Sequence, residues 1–388
     1  MPFLIPYARQ EISEEDCEAV LGVLRSEYLT QGPVVPQFED AVATYCSVLH
    51  AVAVNSATSA LHIACLALGL GRGDWLWTSP NTFVASANCA LYCGAKVDFV
   101  DIDSRTYNMS VEHLQEKLKQ AEKVCRLPKV VMPVHFAGQP CDMPAIHALS
   151  QKYGFKIIED ASHAIGASYN KIKVGSCIHS DVTVFSFHPV KIITTGEGGM
   201  AMTNDIDLEN KMRILRSHGI VKDKKLMHSR PDNEIWNYQQ IGLGYNYRMT
   251  DIQAALGFSQ MQRLDEFVSL RHKIAKRYDL AFEPLSLITP FQLPGTYSSY
   301  HLYPIRINEE KSGKTQREVY EFFWQMGVAA NLHYIPVHRQ PYYESKGFKP
   351  GDFPESENFH REVLSIPIYP DFPESLQAEV CRNLDNFL

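Results

Sequence analysis

The chain has no C-x-x-C pair, no excess of basic charge and no apolar run long enough to span a bilayer. Each absence removes a class of function. Nine cysteines, an odd number, are scattered through 388 residues, which reads as a set of reduced, structural thiols rather than a disulfide framework. Cys89 and Cys93 stand close together, but no further ligands in register lie nearby, so no metal site is expected. A formal charge of −7 argues against a nucleic-acid partner, which normally selects a basic surface. Met1-Pro2-Phe3 runs directly into a polar, acidic stretch without a charged n-region or an apolar h-region. No signal peptide is read there, no membrane partner is expected, and a cytoplasmic location follows as the expectation. Internal repeats, low-complexity tracts and heptads are lacking, and no G-x-G-x-x-G stands at a strand-helix junction, which weakens a dinucleotide enzyme. What remains is an ordinary globular composition, 45% hydrophobic and 21% charged, for which small-molecule chemistry is the default.

The length points to two or three domains. Between about residues 30 and 205, short β-branched runs alternate with stretches of helical spacing, the pattern of βαβ units. The strands are read at Ala51 to Val54, Lys96 to Val100, Lys129 to Pro133, Lys156 to Glu159, Val182 to Ser186 and Met200 to Thr203. Helices are read at Thr58 to Leu68, Val111 to Ala121 and Met143 to Tyr153. A mostly parallel sheet covered by helices follows. From Thr250 one long helical spine is expected through Met261, Leu264, Phe267 and Leu270 toward Tyr278, breaking at Pro284. A proline-rich linker, Pro284 to Pro294, then leads to the strand Leu302 to Ile307, a helix near Gln316 to Met326 and a terminal helix after Pro373. The fold class expected is α/β, with a smaller α+β domain at the C-terminus.

Three pieces carry chemistry. Ser186-Phe187-His188-Pro189-Val190-Lys191, followed by a glycine-rich turn from Thr194 to Gly199, puts one lysine between a strand end and a turn, where a Schiff-base lysine belongs. The competing reading is a surface lysine. An amine in a dry pocket has its pKa pushed down and becomes a nucleophile. Lys156-Ile157-Ile158 leads into Glu159-Asp160-Ala161-Ser162-His163, and side chains alternate along a strand, so one of Glu159 and Asp160 faces the crevice. Pyridoxal phosphate (PLP) withdraws electrons best when its ring nitrogen is protonated, and a carboxylate such as Asp160 holds that proton; an N-cap is the plainer role. His163 is read as lying near the same ring or as a structural histidine. Asn55-Ser56-Ala57-Thr58-Ser59-Ala60 opens a helix, and Thr58 and Ser59 offer hydroxyls and N–H groups to a phosphate or serve as ordinary caps. Ser186 could add a hydroxyl. Phe83 is either a ring-stacking residue or core.

Taken in order, these motifs resemble the sugar aminotransferase family of fold type I PLP enzymes, which act on nucleotide-linked keto-sugars. Leu29-Thr30-Gln31-Gly32-Pro33, Thr82-Phe83-Val84-Ala85, Arg216-Ser217-His218-Gly219 and Gly244-Tyr245-Asn246-Tyr247-Arg248-Met249-Thr250 extend the resemblance over nearly the whole chain. It implies a fold type I architecture with an N-terminal arm (1–29) on the small domain and active site, a large PLP-binding domain (30–265) with a seven-stranded type of sheet, and a small domain (266–388). Lys191 is implied as Schiff-base lysine and proton shuttle, Asp160 on the ring nitrogen, Phe83 against the ring, and Thr58, Ser59 and Ser186 around the phosphate. His163 stands where many relatives have glutamine. Asn246 is implied to reach the cofactor phosphate of a neighbouring subunit, making a homodimer with shared sites. Relatives that deoxygenate sugars carry histidine in place of this lysine, so transamination is implied. The Asn-Ser-Ala-Thr-Ser-Ala turn and Leu332-His333-Tyr334-Ile335-Pro336 are most similar to the branch that aminates a UDP-linked 4-keto-6-deoxy-hexose with L-glutamate toward pseudaminic acid. The substrate site implied is Tyr7, Glu27, Tyr28, Leu29, Thr30 and Ala57, with Ser186 and Asn246 shared with the cofactor and Leu332, His333, Tyr334 and Ile335 closing it.

Overall fold

Alternation along the strands explains the layers. In the computed structural model, which describes residues 5–388 apart from 230, 232, 235 and 236, Val52 and Val54 pack into one apolar cluster and Ala51 and Ala53 into another on the opposite face. Met1 to Phe3, where the sequence was read for a leader, lie outside the described residues. Such strands, apolar on both faces, require helices above and below. The strands are β1 (His50–Val54), β2 (Trp75–Thr78), β3 (Lys96–Phe99), β4 (Val130–Met132), β5 (Lys156–Asp160), β6 (Val182–Ser186) and β7 (Gly199–Thr203). They form one seven-stranded sheet in the order β1-β7-β6-β5-β4-β2-β3. Only β7 runs antiparallel to its neighbours, because it follows β6 through a loop rather than a crossover helix.

Six of the strands lie at the expected places, and β2 is the addition. Its four residues, Trp75–Thr78, are too short to show a period, and parallel pairing with β3 and β4 makes them a strand. Helices α3 (Ala57–Ala67), α5 (Val111–Lys123) and α6 (Met143–Tyr153) occupy the predicted segments, and α4 (Ala85–Tyr92) and α7 (Ile206–Arg216) are additions. The expected single spine is two helices, α8 (Asp251–Met261) and α9 (Leu264–Phe282). At the break, the Arg263 guanidinium reaches Glu11 and the buried Asp16, each at 2.9 Å. Asp16 belongs to α1 (Glu14–Leu24), so the kink is where the N-terminal helix is clamped to the body.

The loop before α2 (Val34–Cys46) is held from a distance. Pro33 offers α2 no side-chain cap, and the buried Asp251 carboxylate, at the start of α8, accepts the N–H groups of Gly32, Val34 and Val35 at 2.5, 3.1 and 2.9 Å. A helix N-terminus left with orphan donors is thereby satisfied by another helix.

The C-terminal part forms a three-stranded antiparallel sheet of Leu287–Ile288, Tyr303–Ile307 and Val363–Ile366. The proline-rich stretch expected as a linker therefore contributes an edge strand. The small sheet packs its own core with Tyr278 and Phe282 of α9. Ile5 pairs with Val328 on this body, and the Ile368 N–H donates to Tyr7 O at 3.0 Å. Between the second and third strands of the small sheet the chain returns to the large one. Val337, Tyr343 and Phe353 enter the core beside Phe99, and Asp101 accepts the N–H groups of Glu355 and Ser356 at 2.9 and 3.0 Å. The two bodies are thus stapled together on either side of the crevice where β5 and β6 end.

Candidate active site

Ligands of open α/β sheets sit beyond the carboxyl ends of the strands, and there a cavity of about 530 Å³ opens between the two bodies. Asp160, the last residue of β5, and Ser186, the last of β6, line its floor. The strand period decides between the adjacent carboxylates. Asp160 faces the cavity, and Glu159 points through the opposite face, where it accepts hydrogen bonds from Ser180 Oγ (2.5 Å), Thr183 Oγ1 (2.8 Å) and His135 Nε2 (2.7 Å). His135 Nδ1 accepts the Cys141 N–H at 3.0 Å, so the ring turns its Nε2–H to the Glu159 carboxylate.

Two hydroxyls and an amide cage the Asp160 charge. Oδ2 accepts from Ser86 Oγ at 2.6 Å, and Oδ1 from Ser162 Oγ at 2.6 Å and Ser162 N at 3.1 Å. Ser86 in turn faces Thr82 Oγ1 at 2.8 Å. Ser162 lies in a segment singled out by sequence and Ser86 directly follows another, yet neither was identified as functional.

Lys191 lies in the loop between β6 and β7 and reaches the cavity. Burial pushes its amine down to about 8, and the Asp160 charge opposes part of that shift. A substantial fraction is therefore neutral near physiological pH. The neighbouring strand start, Gly199, has no room for a side chain: a Cβ there would stand 2.4 Å from Ala57 N and 2.5 Å from Ser56 C. That close approach brings the lysine loop against the N-terminus of α3.

Ser56 caps α3, its Oγ accepting the Ser59 N–H at 3.2 Å. Ala57 and Thr58, the first residues of the helix, line the cavity with Ser56. Their N–H groups precede the first intrahelical bonds and face outward, an anion site by construction. Ser59 does not line the cavity. Its hydroxyl is held by Asn55 Oδ1 at 2.7 Å and Ser56 Oγ at 3.0 Å, so it shapes the turn. Phe83 is no core residue: it is 60% exposed and stands at the cavity wall, 6.4 Å from the Tyr334 ring.

The far wall is the crossing segment 331–337. Asn331 pairs with Ser365 of the small sheet, and the Val337 N–H donates to Pro80 O at 2.9 Å on the large body. Leu332, His333 and Tyr334 line the cavity between these anchors, while Ile335 turns outward at 45% exposure. Tyr7 closes the same side, its ring 5.5 Å from His333. Glu27, Tyr28, Leu29, Thr30 and Asn246 are exposed and do not line the cavity of a single chain.

His163 and His333, buried at the cavity, are neutral, because burial and then the Lys191 charge push His163 well below its ordinary range and His333 down to about 3. His163 Nδ1 accepts the Ala137 N–H at 3.3 Å. Its proton is then on Nε2, 3.2 Å from Tyr334 Oη, leaving the tyrosine hydroxyl hydrogen free to point into the cavity. A third histidine, His301, was not identified in the sequence. It enters from the segment just before the Tyr303–Ile307 strand, 110 positions along the chain from the lysine whose Nζ its Nε2 meets at 3.5 Å. No local motif marks it.

An aldehyde cofactor with a basic ring nitrogen and a phosphate asks for an amine, an anion and a helix N-terminus in one pocket, and PLP is such a molecule. Those groups are present, so the residues fit PLP, and with the mostly parallel sheet they define a fold type I PLP-dependent enzyme. Comparison with known proteins carries this further. Residues 10–385 match the model of the DegT/DnrJ/EryC1/StrS aminotransferase family. Spore coat polysaccharide biosynthesis protein SpsC of Bacillus subtilis is 40% identical over 373 residues, covering 95% of this chain and 93% of SpsC. A UDP-4-amino-4,6-dideoxy-N-acetyl-β-L-altrosamine transaminase of Campylobacter jejuni is 38% identical over 370 residues, with 95% and 93% covered. Helicobacter pylori PseC, an aminotransferase of pseudaminic acid biosynthesis, superposes with a TM-score of 0.90 at 29% identity, covering 100% of this chain and 99% of PseC. The chain belongs to the DegT/DnrJ/EryC1/StrS aminotransferase family and is a PLP-dependent sugar aminotransferase.

Proposed function

We propose that the enzyme moves the amino group of L-glutamate to the C4 keto carbon of a UDP-linked 4-keto-6-deoxy-hexose, namely UDP-2-acetamido-2,6-dideoxy-β-L-arabino-hex-4-ulose, in pseudaminic acid biosynthesis. The observation that carries the reading is the similarity over nearly the full length to the Campylobacter transaminase and to PseC, joined to a cavity whose lysine is intact. When bound, PLP supplies an electron sink for the charge that develops on the carbon bearing the amine. Lys191 would hold the cofactor and, once its amine is free, carry the proton from the α-carbon of glutamate to the C4′ carbon of the cofactor, and in the second half from C4′ to C4 of the sugar, serving as base and acid in turn. Asp160, caged by Ser86 and Ser162, would keep the ring nitrogen protonated. The N-terminus of α3, with Thr58 and Ser186, would take the phosphate, while Ser59 shapes the turn beneath it. Phe83 would cover the ring, and His163 would orient Tyr334.

The sugar would enter against Tyr7, Ala57, Leu332, His333 and Tyr334, with Ile335 outside at the rim. Among the residues that line the cavity, Lys191 is the one lysine or arginine, so a pyrophosphate finds no further cation inside a single chain. This supports a homodimer in which Asn246 of a second copy completes the cofactor site and the exposed Glu27 to Thr30 face the nucleotide. No helix among the described residues is long and apolar enough to cross a membrane, in keeping with an enzyme of the cytoplasm, where nucleotide sugars are made.

A second reading is favoured by the 40% identity to a spore coat polysaccharide protein: the same reaction on a different nucleotide-linked keto-sugar. Spectral titration separates the two. L-Glutamate added to the PLP-loaded enzyme should bleach the visible band, and the UDP-keto-sugar named above should restore it. Bleaching without return would select the second reading, and a protein that develops no visible band with PLP would overturn both.

A further inference from the structure

We propose that His301 is a positioning residue for Lys191, its Nε2 accepting an N–H of the lysine amine and thereby aiming the amine lone pair into the cavity. The proposal rests on Lys191 being the PLP-bearing lysine and adds a residue that the family comparison does not assign.

Three buried histidines surround Lys191, and hydrogen-bond accounting distinguishes them. His163 has Nδ1 on Ala137 and Nε2 on Tyr334. His333 has Nδ1 2.9 Å from Ser365 Oγ and Nε2 3.4 Å from Asn331 Nδ2. The Leu332 N–H fixes the Asn331 amide by occupying Oδ1 at 2.8 Å, so the atom facing His333 is a donor and Nε2 is spent accepting it. His301 alone turns a ring nitrogen to Lys191, at 3.5 Å, and its Nδ1 has no partner among the described residues. The one hydrogen-bond partner of this buried imidazole is the reactive amine, whereas His163 and His333 have both ring nitrogens engaged elsewhere.

The ring and backbone of His301 are nonetheless held firmly. Its imidazole lies against His163 with centroids 4.4 Å apart. Behind it the fully buried Arg271 donates from Nη1 to the carbonyls of Tyr300, His301 and Ile368 at 3.2, 3.3 and 2.8 Å. The charged and titratable groups acting on His301 are Lys191, His163, Arg271 and His333, and with burial they keep it neutral. A neutral imidazole retains a lone pair, which is what an acceptor for Lys191 requires. The 3.5 Å separation is long, as catalytic hydrogen bonds often are before the reacting molecule is bound.

The test follows capture of PLP by the apoenzyme, in which the Lys191 amine condenses with the cofactor aldehyde and one water leaves; borohydride trapping and peptide mass locate the bond. His301→Phe keeps the ring volume without an acceptor, and His301→Gln returns one. Capture should slow about 10-fold or more in His301→Phe and recover to within about 3-fold of wild type in His301→Gln. Thermal melts of both variants confirm folding. Wild-type capture in His301→Phe, or an equal loss in a folded His301→Gln, would overturn the acceptor role. Should His301→Phe not fold, His301→Ala with added imidazole replaces it: rescue supports the proposal and its lack overturns it. If the wild-type chain itself fails to form the bond at Lys191, the PLP assignment of that lysine falls, and the His301 role with it.

Discussion

Ser86 Oγ stands 2.6 Å from Oδ2 of Asp160, with Thr82 Oγ1 a further 2.8 Å behind it. A carboxylate can only accept, so the protons run from Thr82 to Ser86 to Asp160. Ser86→Ala removes a hydrogen bond to a charged group, a contribution of about 1.5–3 kcal/mol. Weaker PLP affinity is expected, by roughly 10-fold or more, in an equilibrium titration of the apoenzyme. Unchanged affinity would mean that Ser162 alone holds the carboxylate.

Lys191 sets the pH dependence of cofactor capture. Only the neutral amine attacks an aldehyde, and burial lowers its pKa to about 8. Capture by the apoenzyme should therefore rise with pH, pass half-maximum near 8 and level off above it, rather than climb toward the ordinary lysine value. Lys191→Ala should abolish turnover and the visible band of the bound cofactor together. A variant that retains near-normal rate removes the lysine from the mechanism.

Tyr334 offers the cavity a hydroxyl donor because His163 Nε2–H occupies its oxygen at 3.2 Å. Tyr334→Phe should raise the KM for the UDP-keto-sugar about 10-fold, the value of one hydrogen bond in a dry site, and leave the PLP spectrum intact. Steady-state kinetics beside the absorption spectrum read both at once.

Asp251 is a structural counterpart to these residues. It is fully buried and accepts three N–H groups at the entrance to α2. Asp251→Ala strands those donors, at a cost of roughly 2–4 kcal/mol. The melting temperature should fall while kcat of the remaining folded enzyme changes little, and a variant as stable as wild type would show that water replaces the carboxylate.

Asn246 tests the dimer. If it completes the site of a second copy, Lys191→Ala and Asn246→Ala proteins are each defective, yet a mixed dimer contains one intact site. Co-refolded mixtures should recover activity toward a quarter of wild type, on the order expected for random pairing. Mixtures no more active than the parents would confine Asn246 to its own chain or to no site.

Much of the fold was legible in advance because it rests on local regularities. Val182 to Ser186 and Met143 to Tyr153 sit where period and flanking turns place them. Trp75–Thr78 escaped because four residues carry no period, and parallel neighbours alone make them a strand. The spine divides at Arg263, whose guanidinium meets the Glu11 and Asp16 carboxylates 252 and 247 positions away. Such a contact has no signature in a window.

The chain's sequence by itself determined the chemistry: a lysine after a strand, a carboxylate ending another, and a hydroxyl-rich helix start, each read from a few adjacent residues and from resemblance. Tertiary structure decided which atoms meet. It turned Asp160 inward and Glu159 outward, withdrew the Ser59 hydroxyl into the turn, brought Ser86 onto the carboxylate and carried His301 from the other body to Lys191. The division has a physical cause. Propensity, period and capping act over one or two turns of chain, whereas burial, hydrogen-bond partnership and the pKa of an amine depend on what the rest of the molecule packs around it.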